Sequence, residues 1–372
     1  PCLDEGRLPS THQGGRYWPQ YPHARSRVHV ASRIIAPLVI ALLLVQLAGP
    51  NVVARSPVAL GHSVAPADSA EMHVVDRHIA MYGRAPALWS LWSNWGSRGG
   101  RIGCSPESGT CAFPREAAAG LRERGITPLI WWAPVAPPGR ESGTYARYVR
   151  IIRGGHDHYI RAWARDARRH GGPVVVRFMH EMNGRWYPWG LSRFDNGPRR
   201  FKQAWRHVWR LFRDVGATNV RFLWNPMPER CIGCAPFHRY ESFYPGNRFV
   251  DYIGVNIYNF GLASWRPMAR VLKRPLDRLR NMTRTKSRPH GKPVILGEVA
   301  TSFRRGDKAR WLKQGYRQTA RRFPQVKGIV YFDVDMRRKG HPDWRLIRPK
   351  DGSAVRAYRQ LVAKPIFRGR IR

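Results

Sequence analysis

Apolar positions along the chain fall into short continuous runs separated by longer stretches of helical spacing. "GPVVVRF" (172–178) is β-branched and bounded by glycine and proline, which predicts a buried strand. "TPLIWWAP", "NVRFLWNP", "FVDYIGVNIYNFG", "KPVILGEVATS" and "KGIVYFDVD" predict further strands, and "HIAMYG", from His78 to Gly83, predicts the first. "ALWSLWSNWG" shows no decisive period. Between strands, "HDHYIRAWARDARRHGG" places Ile160, Trp163, Ala164 and Ala167 on a helical stripe. "PRRFKQAWRHVWRLFRDVG" does the same with Phe201, Trp205, Val208, Trp209, Phe212 and Val215, and Gly216 stops it. "DKARWLKQGYRQTARRF" predicts a helix between the last two strands.

Strands alternating with helices imply parallel βαβ units. Roughly eight such units in about 300 residues predict an α/β fold closed as a (β/α)8 TIM barrel, which typically needs about 250 residues. Neither G-x-G-x-x-G nor a P-loop interrupts the pattern, so a nucleotide-binding sheet loses its main support.

"MHEMNGRWYPWG", Met179 to Gly190, begins where the "VVVRF" strand ends. Its two glycines and a proline disfavour a helix, so it reads as a loop at a strand's C-terminal end, where α/β barrels keep their reactive groups. It carries Glu181, and "ILGEVATS" sets Glu298 at the end of a later strand. By alternation Arg177, Met179 and Glu181 share one face, as do Val294, Leu296 and Glu298, so both carboxylates are expected at the barrel mouth. Paired carboxylates among aromatic rings suit glycoside hydrolysis: one acid protonates the leaving oxygen, while the other attacks the anomeric carbon or activates water. Trp186, Tyr187 and Trp189 provide walls for the apolar faces of sugar rings. The same histidine motif does not read as a zincin, because the position four residues after His180 is Gly184. No metal and no cofactor are expected.

Charge changes the picture at the surface. Lys+Arg total 65 against Asp+Glu 24, a formal net charge of +41. The arginines are scattered and accompany no zinc-finger, basic-zipper or RNA-recognition signature, so nucleic-acid binding is not expected. Arginine bias on solvated faces accounts for the excess, with adhesion to an anionic cell-wall surface as the functional alternative. "HARSRVHVASR", then the apolar Ile34 to Ala48, then small residues at Val52 and Ala54, follow the order of a secretory signal. Residues 1–68 are therefore expected to be leader and short linker, and 69–372 the single catalytic domain. Secretion is expected, with an uncleaved membrane anchor as the alternative; no cysteine follows the apolar run to indicate a lipoprotein. Beyond Cys2, Cys104, Cys111, Cys231 and Cys234 make an even set that favours disulfides in an exported chain, with three pairings open.

"VVVRFMHEMNGRWYPWG", with "FKQAWRHVWRLFRDVGATNVRFLWNP", "YPGNRFVDYIGVNIYN" and "GEVATS", resembles glycoside hydrolase family 26, whose best-known members are secreted endo-β-1,4-mannanases. The resemblance runs from about Ile151 to Asp333. It implies a (β/α)8 barrel that hydrolyses a β-mannan-type polysaccharide with retention, with Glu181 as acid/base and Glu298 as nucleophile. His180 and Trp186 match positions at the subsite of the cleaved sugar, and Tyr258 matches a tyrosine that hydrogen-bonds the nucleophile. Arg177, Trp189, Asn225 and Tyr331 complete the expected substrate-binding set. On the last strand the family often places a tryptophan where "GIVYFDVD" has Tyr331 and Phe332. Family members also cleave β-1,3-xylan and mixed-linkage β-glucan, and a barrel that binds wall carbohydrate without cleaving it is the alternative from another class. A monomer is expected.

Overall fold

The computed structural model describes residues 56–96, 112–135, 147–191, 197–229, 239–261, 265–304, 306–347 and 351–371. The apolar leader run and all five cysteines lie outside the described residues.

The strands are β1 (Ala59–Ser63), β2 (Leu88–Asn94), β3 (Thr127–Ala133), β4 (Val174–Phe178), β5 (Val220–Trp224), β6 (Tyr252–Ile253), β7 (Asn256–Asn259), β8 (Val294–Thr301) and β9 (Val326–Phe332). Each pairs in parallel with its neighbours, β1 closes on β9, and β6 and β7 are two halves of one stave between β5 and β8. The result is a closed eight-stranded barrel. Around it lie helices α1 (Met72–Tyr82), α2 (Arg115–Glu123), α3 (Tyr148–Ile152), α4 (Asp157–Arg169), α5 (Pro198–Asp214), α6 (Tyr240–Phe243), α7 (Met268–Thr283), α8 (Lys308–Arg322) and α9 (Ser353–Val362).

Alternation along the strands divides the core in two. Ala59, Leu88, Leu129, Val175, Leu223, Ile295 and Val330 point inward and fill the barrel floor. Their strand neighbours, including Leu60, Trp89, Ile130, Val176, Phe222, Leu296 and Ile329, point outward against the helices. Two residues beyond the floor, toward the strand C-termini, the inward positions become Trp131, Arg177, Asn225 and Phe332. The fold therefore places its chemistry one layer above an apolar plug.

Three expectations need correction, and one unassigned stretch is resolved. His78 to Gly83 is no strand: Val75, His78 and Tyr82 are the buried stripe of α1, which ends at Gly83 in the left-handed conformation with φ 74°. The first strand is β1, inside the stretch assigned to the linker. "ALWSLWSNWG" contains β2. "FVDYIGVNIYNFG" is broken at Gly254–Val255, and only glycine fits at 254, where a side chain would meet the carbonyl oxygen of Ile295 at 2.5 Å.

Candidate active site

Simple alternation would turn Glu298 away from the barrel, since Leu296 packs outward. A β-bulge reverses it: Leu296 faces Ile329 and Val299 faces Tyr331, so Gly297 and Glu298 together oppose Val330. The extra residue brings Glu298 inward. Gly297 is required there, because a Cβ would collide with the Asn225 side-chain oxygen and sit 3.2 Å from Arg177 Nε.

Glu181 reaches the site by a different local device. Its backbone adopts φ 55° and that of Met179 φ 42°, while the Glu181 N–H donates to the Asn225 carbonyl at 2.8 Å. A non-glycine residue in the left-handed region costs about 1–2 kcal/mol, so the surrounding bonds must hold it there.

Arg177 and Asn256 tie the two carboxylates together. Arg177 is fully buried; its Nη1 donates to Glu298 Oε1 at 2.6 Å and its Nη2 to Asn256 Oδ1 at 3.0 Å. Asn256 in turn donates through Nδ2 to Glu181 Oε1. The guanidinium lies over the Trp131 ring, 4.2 Å from its centroid. Below, Asn225 donates to Asn256 Oδ1 at 3.1 Å. Glu181 Oε2 accepts from Trp186 Nε1 at 2.7 Å, and the Trp186 ring, 41% exposed, is the large side chain left open at this mouth. Gly184 lets it lie flat: a Cβ there would be 2.5 Å from the indole.

Burial pushes both carboxyls above their ordinary range, against the opposing pull of Arg177. Glu298 is pushed up to about 7, with the neighbouring Glu181 charge also raising it. Two coupled carboxyls this close titrate as a pair. The direct guanidinium contact favours the charge on Glu298. Glu181, whose donors among the described residues are the neutral Asn256 and Trp186, is the better holder of the proton.

The other expected residues divide. His180 is buried, bonded to the Tyr187 hydroxyl at 3.0 Å, and kept neutral by burial and by Arg177. Its carbonyl accepts from Trp189 Nε1 at 2.7 Å. Trp189 is itself buried and stacked on Tyr187 with centroids 4.3 Å apart, so it supports the loop instead of contacting sugar. Asn225 is fully buried and positions Asn256. Tyr331 points outward, where its hydroxyl donates to the Trp344 carbonyl at 2.7 Å, and the inward residue of that pair is Phe332. Tyr258 packs against Phe332 and Trp344, with centroids at 5.8 and 5.1 Å. Among the described residues, hydrogen bonds reach Glu298 from Arg177 and Asn256, while Tyr258, expected to supply one, sits in the ring cluster of Phe332 and Trp344. Asn256, Trp131 and Phe332 were not among the expected residues. Asn256 had a usable signal, since it shares a face with Tyr258 two residues on, whereas choosing Trp131 over Trp132 requires knowing which face is inside.

Residues 141–275 match the model of glycosyl hydrolase family 26, and that stretch carries Arg177, Glu181, Asn225, Asn256 and Tyr258. Over that stretch the chain is similar to glycosyl hydrolase family 26. It is 31% identical over 221 residues to Endoglucanase H of Acetivibrio thermocellus, a match covering 58% of this chain and 23% of that protein. It is 29% identical over 93 residues to a mannan endo-1,4-beta-mannosidase of Bacillus subtilis, covering 24% of each. The chain thus spans about a quarter of the length of these curated relatives. The fold is that of the family 26 β-mannanase from Bacteroides ovatus, with a TM-score of 0.58 at 17% identity over 84% of this chain and 90% of that one. Glu298 lies beyond the stretch matched by the family model, and its place in the site rests on the bulge and on Arg177.

Proposed function

We propose that this chain is a family 26 retaining endo-glycanase acting on β-1,4-mannan-type polysaccharide. The observation that carries the reading is the buried pair Glu181 and Glu298, held by the Arg177–Asn256 bridge under an open tryptophan. Glu181 enters protonated and gives its proton to the glycosidic oxygen. Glu298 attacks the anomeric carbon and forms a covalent glycosyl-enzyme. Glu181, now a carboxylate, takes a proton from water, which releases the sugar with its configuration retained. Arg177 keeps Glu298 ionised for the first step, and Asn256 holds the two side chains in register. Residues 34–48 support a further part of the proposal, export from the cell.

Relatives named as mannan endo-1,4-beta-mannosidases favour mannan. The long match to a protein named Endoglucanase H favours a second reading, a β-glucan substrate. Reducing-end release from mannan, β-1,3-xylan and mixed-linkage β-glucan separates them. Mannan is expected to be cleaved fastest; cleavage of a glucan or xylan alone decides for another β-glycan, and hydrolysis of none overturns the enzymatic reading.

Trp186 separates binding from proton supply. Its N–H favours ionised Glu181, so Trp186→Phe, which keeps a ring and removes the donor, should raise the Glu181 pKa. Loss of the protonated acid sets the alkaline limb, so that limb of kcat/KM should move to higher pH with KM little changed. Trp186→Ala should also raise KM, by about tenfold if stacking is worth about 1.4 kcal/mol. An alkaline limb that stays in place in both variants would refute the contact.

A further inference from the structure

A second cluster of ionisable groups lies between barrel and helices, apart from the two glutamates. His62 projects outward from β1, His78 comes from α1, and Asp333 follows β9. One donor atom from each lies within 4.8 Å of the others, and His62 Nδ1 is 3.9 Å from Asp333 Oδ2. The two imidazole centroids are 3.8 Å apart. Around them stand Tyr82 and Tyr358, with centroids 5.5 and 4.7 Å from His62.

His62 is fully buried, yet neither ring nitrogen has a hydrogen-bond partner, and the hydroxyls of Tyr82 and Tyr358 are likewise buried and unpartnered. Buried polar groups are ordinarily bonded, and several orphans converging on one spot signal a missing ligand. A cavity of about 20 Å³ bordered by His62, His78, Tyr82 and Tyr358 has room for one water-sized occupant. Asp333 accepts the Leu346 N–H through Oδ1 at 2.7 Å and faces His62 with Oδ2. Lys308 and Arg345 both act on Asp333 through their charges; Lys308 is bonded to the Trp344 and Arg345 carbonyls, and Arg345 to Asp343 and Asp335.

We propose that His62, His78 and Asp333 bind one divalent transition-metal ion of the zinc class, with water from the adjacent cavity as fourth ligand. Two imidazoles and a carboxylate are a donor set zinc accepts in four-coordinate geometry. Bonds of about 2.0–2.1 Å need donors about 3.3 Å apart, so the cluster must close by roughly an ångström. Side-chain torsions can supply that. The ion would staple the first strand, the first helix and the end of the last strand, joining the beginning of the barrel to its end. It lies away from the histidine motif at position 180 and takes no part in bond cleavage.

The test is metal binding by the full chain, with no reliance on catalysis. Chain stripped with a chelator is titrated with zinc against a competing indicator and melted with and without the ion. One zinc per chain is expected, with a higher melting temperature in its presence. Asp333→Asn, which keeps the shape, and His78→Ala should each weaken binding at least about tenfold and abolish the shift. His73→Ala, at an exposed histidine of the same helix, should change neither. No binding at micromolar zinc, full binding in Asp333→Asn, or equal loss in the His73 control overturns the proposal.

Discussion

Replacing Glu298 by alanine is expected to abolish polysaccharide hydrolysis, with kcat falling by about 10⁴-fold or more, the scale seen when a covalent nucleophile is removed. The bulge at Gly297–Glu298 places this carboxylate beside Arg177, and no other carboxylate among the described residues shares that guanidinium. Azide should partly rescue Glu298→Ala by entering from the vacated side, giving a glycosyl azide of inverted configuration. Glu181→Ala, tested with an activated aryl glycoside, should instead give the azide of retained configuration, because Glu298 still forms the covalent intermediate. For natural substrate the loss at 181 should be about 10²–10⁴-fold, the usual worth of general acid catalysis. Undiminished turnover in Glu298→Ala, or the same azide anomer from both variants, would contradict the assignment.

Arg177→Met is expected to destabilise the fold by about 3–5 kcal/mol at neutral pH, because it leaves a buried carboxylate without its cation. The pH dependence gives this prediction a signature. The folded-state pKa of Glu298 is raised, to about 7 from an ordinary 4.5. Its proton-linked contribution to stability is therefore present below about pH 4.5 and lost as pH rises through about 7. Removing Arg177 raises that pKa further, since the guanidinium opposes the shift. The defect of Arg177→Met should thus be small near pH 4.5 and grow toward pH 8. Adding Glu298→Gln should recover most of the loss, as no charge then remains to be stranded. Denaturant unfolding at the two pH values checks both statements; a defect independent of pH would mean that Arg177 acts through packing on Trp131 alone.

The two carboxylates could be read from sequence because each sits in a short, glycine-marked context, Glu181 just past β4 and Glu298 inside β8 instead of at its expected end. Their geometry could not. Period-two reasoning puts Leu296 and Glu298 on one face, and only the register of β8 against β9 shows the inserted residue that separates them. Trp189 and Trp186 look equivalent in "GRWYPWG", yet one is buried under Tyr187 and the other open, a distinction made by the fold of the loop. The first strand was missed because "ALGHS" is short and poor in β-branched residues, while His78, Ala80 and Tyr82 in α1 happen also to alternate. Asn256 could be drawn in by the face it shares with Tyr258, but its role as a bridge needed partners across the barrel. Local pattern was sufficient for the elements, and their pairing decided which side chains face the mouth.

The left-handed backbone at Glu181 bears on how this protein would respond to laboratory evolution. Glycine, or asparagine, fits that conformation with less strain, and either would also remove a carboxyl from a dry site. A library screened for heat resistance alone should therefore drift at position 181 toward residues that cannot donate the proton. Stabilising this scaffold requires fixing that codon and seeking gains elsewhere.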